Sequence, residues 1–157
     1  MKLYTSYWAM VRNFPPNLVG LSTVVWKPKW KSFGKDNRGV WILDCPPLKP
    51  GLECAGLCDG KCAIKHPKHC EFLQTYYKQL LKLDFDNFMT KLRELHDKIC
   101  AGEGLDDVDF AFLVYETPTN LCSEREVIKK WFKYYSMELK EWNKDGNGEE
   151  CAIKTSI

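Results

Sequence analysis

Apolar and polar residues follow two different rhythms along this chain, and the switches between them mark its elements. Residues 3–8 (Leu-Tyr-Thr-Ser-Tyr-Trp) and 18–26 (Leu-Val-Gly-Leu-Ser-Thr-Val-Val-Trp) are rich in aromatic and β-prone side chains and predict two strands. Between them Asn13-Phe14-Pro15-Pro16-Asn17 is a breaker, because each proline lacks an amide donor and keeps the residue before it out of the helical region. Helical spacing begins after Cys70: Phe72, Leu73, Tyr76, Tyr77, Leu80 and Leu81 share one face, and Gln74, Lys78 and Lys82 the other. A second helix, capped by Asp84 or Asp86, carries Phe88, Met89, Leu92, Leu95 and Ile99 on its apolar stripe and ends at Gly102. The rhythm then changes again. Phe110-Ala111-Phe112-Leu113-Val114-Tyr115 is apolar throughout, as a central strand covered on both faces requires. Ser123-Glu124-Arg125-Glu126 opens a last helix as a capping box, with the serine oxygen accepting from the Glu126 amide and Val127, Ile128, Trp131, Phe132, Tyr135 and Leu139 forming the buried face.

Strands alternating with helices predict an α/β fold, a small and mostly parallel sheet flanked by helices. A length of 157 residues with 45% apolar content suits a single domain, assigned here to residues 1–142, and the polar, glycine-rich residues 143–157 read as a mobile tail. With 23 basic and 21 acidic residues the net charge is only +2, which excludes a global coat of positive charge for nucleic acid or membrane and leaves only local binding. No apolar run approaches the roughly 18 residues a membrane span needs, and the first residues lack the pattern of a signal peptide. A cytoplasmic location is the expectation.

In that reducing compartment a cysteine cluster holds metal more readily than disulfides. Residues 54–70 contain four of the eight cysteines and two of the three histidines. Cys54, Cys58, Cys62 and Cys70 supply thiolates for a tetrahedral zinc, with Cys45, His66 and His69 as competing ligands; an iron–sulfur cluster ranks below zinc. The spacing does not match paired CxxC motifs. The stretch after Trp26 is irregular and rich in proline and glycine, so the metal is expected to staple a long loop, an insertion spanning residues 45–70.

Several short motifs occur in an order that resembles a known family. They are Tyr4-Thr5-Ser6-Tyr7-Trp8-Ala9 with Arg12 and Pro15, then Trp26-Lys27-Pro28-Lys29-Trp30, then Pro47-Leu48-Lys49-Pro50, and finally Leu113-Val114-Tyr115-Glu116 leading to Cys122 and Arg125. Over about residues 3–139 this resembles the domain of unknown function family numbered 488, small α/β proteins, with the cysteine-rich segment as an addition. The resemblance implies a fold and no established activity. Members carry Cys-His-Arg after the late strand, whereas this chain reads Cys122-Ser123-Glu124-Arg125, so no histidine-assisted mechanism carries over.

Two further constellations bear on function. Cys122 stands just before a helix start and after the expected central strand, where open α/β sheets place ligands, and Arg125 nearby favours anions and a reactive thiolate. Glu116, at the end of that strand, is a candidate acid or base; Cys122 and Glu116 are therefore the candidate catalytic residues. The competing reading packs Cys122 as a small apolar residue and pairs Glu116 with Arg125. Residues 26–41 interleave five basic with four aromatic side chains, among them Lys27 and Trp30, a composition suited to phosphates and stacked bases or to a protein partner. Arg12 and Tyr4 join them as candidate ligand contacts. The expectation is a zinc-containing protein that binds an anionic ligand, a nucleotide or nucleic acid, with a nucleotide-processing enzyme and an interaction or inhibitor protein as alternatives.

Overall fold

A computed structural model describes residues 1–58 and 70–144. Strands β1 (Leu3–Tyr7), β2 (Leu18–Ser22), β3 (Gly34–Lys35), β4 (Trp41–Asp44), β5 (Asp109–Val114) and β6 (Lys140–Glu141) form one sheet in the order β3-β4-β2-β5-β1-β6. Among the described residues only the β3–β4 pairing is antiparallel. The apolar run is central as expected, hydrogen-bonded to β2 on one side and β1 on the other.

The alternation of side chains along each strand separates two cores. On one face Val19, Leu21, Phe110 and Phe112 meet the buried residues of all the α-helices: α1 (Glu71–Leu81), α2 (Phe85–Glu103) and α3 (Glu124–Tyr134). An aromatic cluster knits these together, with Phe85 stacked on Tyr135 at 4.1 Å and edge-on to Trp131 at 5.1 Å. On the other face Leu18, Ile42, Ala111 and Leu113 pack under Trp8, Val11, Phe14 and Trp142, so among the described residues a 3-10 turn at Trp8–Asn13 and the residue after β6 do the covering there. Gly20 of β2 lies close under this packing: a Cβ there would lie 2.6 Å from the Ile42 Cδ1 atom.

The helix boundaries depart from the periodicity in instructive places. Asp84 caps α2 by accepting from the Asn87 amide, but the helix runs past Gly102 and stops at Gly104, whose φ of 66° supplies the left-handed C-cap. Helix α3 ends at Tyr134, because Ser136 turns the chain with a φ of 61°. Leu139 is buried, yet it leads into β6 and is not on the helix.

The stretch expected to be irregular holds β3 and β4, then 3-10 turns at Pro46–Leu48 and Leu52–Cys54. In its described part, the loop is fastened to α1 by hydrogen bonds. The Tyr76 hydroxyl donates to the Leu48 oxygen at 2.5 Å, Gln79 Nε2 donates to the Lys49 oxygen at 2.6 Å, and Gln79 Oε1 accepts from the Gly51 amide at 2.7 Å. Leu48, Cys45 and Cys54 are buried beneath these bonds. Cys62, His66 and His69 lie outside the described residues, and among the described residues no three metal-ligating side chains gather. No described helix is long and apolar enough to cross a membrane.

Candidate functional site

Strands β1, β2 and β5 run parallel, so their carboxyl ends open on one edge of the sheet, and α3 begins there. Ser123 caps α3, although its oxygen accepts from the Arg125 amide at 3.2 Å and not, as the capping-box spacing predicted, from Glu126. This cap sets the first turn of α3 beside Glu116, in the loop after β5.

Arg125 is 1% exposed, and its guanidinium is largely committed. Nε donates to Glu141 Oε2 at 2.9 Å and Nη2 to Glu141 Oε1 at 3.2 Å, a two-toothed pair inside the protein. Nη2 also donates to the Glu116 main-chain oxygen at 2.8 Å, and the Tyr7 ring centroid lies 5.8 Å from Cζ. Thr5 Oγ1 completes the carboxylate by donating to Glu141 Oε2 at 2.7 Å, as the β1–β6 register of Thr5 opposite Glu141 allows. Glu141 is the residue that the sequence pattern missed. It sits on a two-residue strand, too short for any periodic signal.

Glu124, the first residue of α3, faces Glu116. Burial first, then repulsion from the Glu116 carboxylate and a hydrogen bond to it, push the Glu124 carboxyl up to about 7, against the lowering effects of its own backbone amide and of Arg125. Two carboxyl groups hydrogen-bond only when one carries a proton, so Glu124 gives and takes a proton near neutrality. Cys122 is half-buried, with its amide donating to Asn120 Oδ1 at 3.0 Å. Glu116 and Arg125 are thus brought together, with Glu124 as an added member, while Cys122 stands in the loop just before the Ser123 cap.

Arg12, Lys27 and Trp30 stand beside this centre. Trp8, Arg12, Trp30, Lys31, Asp36 and Arg38 are among the residues lining a groove of about 580 Å³. Trp30 lies edge-on to Trp8 at 6.5 Å between centroids, and Trp8 in turn lies 6.5 Å from Tyr115, the neighbour of Glu116. The Tyr115 hydroxyl donates to the Trp26 oxygen, which draws the loop over the strand ends. Asp36 bridges Lys31 at 3.2 Å and Arg38 at 3.0 Å. Burial raises its carboxyl, but bonds from the Val40 and Arg38 amides and from the Arg38 and Lys31 side chains prevail and hold it at about 2. Arg12 makes no ion pair among the described residues, and Lys27 rests over Phe33 at 5.8 Å. Tyr4 is not part of this assembly. It is buried in the first half of β1 and lines a separate cavity of about 750 Å³ with His96 and Arg93.

Of the expected metal ligands, Cys54 is buried with its thiol 3.7 Å from Gln79 Oε1, Cys58 is exposed and Cys70 is half-buried before α1. Burial raises the Cys54 thiol and pushes that of Cys45 up to about 12, so Cys45 is a neutral core thiol in this arrangement.

Compared with known proteins, the chain matches no family model, no curated protein and no solved structure.

The raised Glu124 carboxyl has a signed consequence for stability. Relative to its ordinary value of 4.5, the folded protein holds the extra proton more tightly, so this contribution is full below pH 4.5 and is lost as pH rises through about 7. Glu124→Gln is expected to lose less thermal stability than the unmodified chain between pH 5 and pH 8, a difference that thermal unfolding at the two pH values measures. Equal losses would show that Glu124 titrates normally.

Proposed function

We propose that this protein binds a nucleotide or a single nucleic-acid strand in the groove of Trp8, Arg12, Trp30, Lys31 and Arg38. One observation carries the reading: Trp30 is 68% exposed in the groove that holds Arg12, a cation without a carboxylate partner among the described residues. Flat aromatic faces next to an uncommitted cation suit a ligand that couples a base to a phosphate. Three cations, Arg12, Lys31 and Arg38, against Asp36 leave the groove with an excess of two positive charges. The phosphate is assigned to the groove and not to Arg125, whose charge Glu141 already balances.

A second reading, a nucleotide-processing enzyme, is favoured by the Glu116–Glu124 pair, because a carboxyl near pH 7 is suited to general acid–base work. Glu116 or Cys122 is then the reacting group, with Glu124 beside Glu116 as the group that holds the proton. The exposed tryptophans suit a protein partner as well. Zinc held by Cys54, Cys58, Cys62 and Cys70 is part of the proposal, as is kinship with the resembled family, which rests on the order of its motifs. The neutral state of the Cys54 thiol requires that zinc binding release its proton.

Titration with an oligonucleotide is expected to quench tryptophan fluorescence. Trp30→Ala should weaken binding by about 1–3 kcal/mol, and Arg12→Gln should lower the slope of log affinity against log salt by about one. Binding indifferent to both substitutions would remove the groove from consideration. Metal analysis of the purified, reduced protein should find about one zinc per chain; a stoichiometry near zero would eliminate the metal.

A further inference from the structure

Helix α2 does not close over the whole sheet. Between it and β4 lie cavities of about 320 Å³ and about 340 Å³, and Leu95 lines both, so they form one groove along the helix. Its floor is Leu21, Trp41 and Leu43 of the sheet, and its wall is Leu92, Leu95 and Ile99 of α2. The next strand outward, β3, has only Gly34 and Lys35 and extends the floor no further. Trp41, Leu43 and Leu95 are left half-buried there. From Asn87 to Glu103 the groove follows α2 for about 24 Å. A continuous apolar strip of this length, open at the surface and rimmed by polar residues, is the mark of a contact site.

Charge selects the occupant. Three acidic residues line the groove, and each is already used: Asp44 pairs with Lys49 at 2.8 Å, Glu103 pairs with Lys35 at 3.2 Å, and Asp84 caps α2 by accepting from the Asn87 amide at 3.0 Å. The lining cations are Lys91 and Lys98, both exposed, and neither meets a carboxylate among the described residues. They stand seven residues apart on α2, which puts them on one side of the helix and about 10.5 Å apart along its axis. The rim therefore offers two free positive charges at heptad spacing beside an apolar strip. A second helix repeats that interval, with apolar residues every three or four positions and acidic ones every seven. A strand, whose side chains alternate, does not.

We infer that the groove between α2 and β4 docks an acidic amphipathic helix of a partner protein, with apolar side chains against Leu43 and Leu95 and two carboxylates, seven residues apart, on Lys91 and Lys98. The apolar strip supplies the affinity, and the lysines set the register and exclude basic helices. A groove of about 24 Å accommodates about 16 helical residues. This surface is independent of the nucleotide reading, because Trp8 and Val11 of that other groove pack on the opposite face of the sheet.

The probe is a labelled helical peptide of about 18 residues, with leucines every three or four positions and two glutamates seven apart, read by fluorescence anisotropy against the full chain. A second peptide carries lysines in place of the two glutamates, and a third carries serines in place of the leucines. The glutamate peptide is expected to bind about tenfold or more tightly than the lysine peptide, since two attractive rim pairs become two repulsive ones, and the serine peptide should not bind. Lys91→Glu combined with Lys98→Glu, at exposed positions outside the core, should reverse the order of the two leucine peptides. Equal affinities in the unmodified chain, binding by neither leucine peptide, or an order that survives the double substitution would overturn the inference. A concentration-dependent dimer in sedimentation that excludes the peptide would give the groove to a second copy of the chain and overturn it as well.

Discussion

The buried ion pair between Arg125 and Glu141 is the contact on which the carboxyl edge of this sheet depends. Removing two charges from water is expensive, and attraction offsets the cost only where geometry and additional hydrogen bonds are good. Here both conditions hold. The guanidinium meets the carboxylate through Nε and Nη2, Thr5 supplies a third donor, and the Glu116 main-chain oxygen takes the remaining proton of Nη2. The pair thereby joins α3 to β6, β6 to β1, and α3 to the loop after β5. An edge strand of two residues has little pairing of its own, so Glu141 is a large part of what seats β6 beside β1.

Fixing Arg125 in this way divides the chemistry of the edge. A cation satisfied by its own carboxylate is a poor phosphate ligand but a rigid support for its neighbours. Glu116 is held by its backbone against that support, and Glu124 is turned toward it by the first turn of α3, with its own carboxyl raised to about 7. Uncommitted positive charge lies instead across Trp8, at Arg12, together with exposed indole faces.

Long periodic segments were legible in the sequence. The faces of α1, α2 and α3 and the apolar run of β5 each spend enough residues on one surface for spacing to reveal it, and the central place of β5 follows from its having no polar face. Short elements were not. Strands β3, β4 and β6 have two to four residues each, and β4 lies inside a proline- and glycine-rich stretch that reads as loop. Ser136 ended α3 early without a glycine or proline to signal it. Glu116 and Arg125 were legible as neighbours because one connection carries them, but the partner that determines what Arg125 does comes from Glu141, 16 residues away across a turn. In the described part of the loop Tyr76 and Gln79 fasten the chain to α1, side chains that spacing marked only as faces of a helix.

A double-mutant cycle on Arg125 and Glu141, read by urea unfolding, tests the central claim most directly. If the pair organises the edge, Arg125→Met and Glu141→Met each cost about 3–5 kcal/mol by stranding a buried charge, and the double variant costs far less than the sum. Two small, additive losses would contradict the account, because they would show that the carboxyl edge holds its shape without the pair.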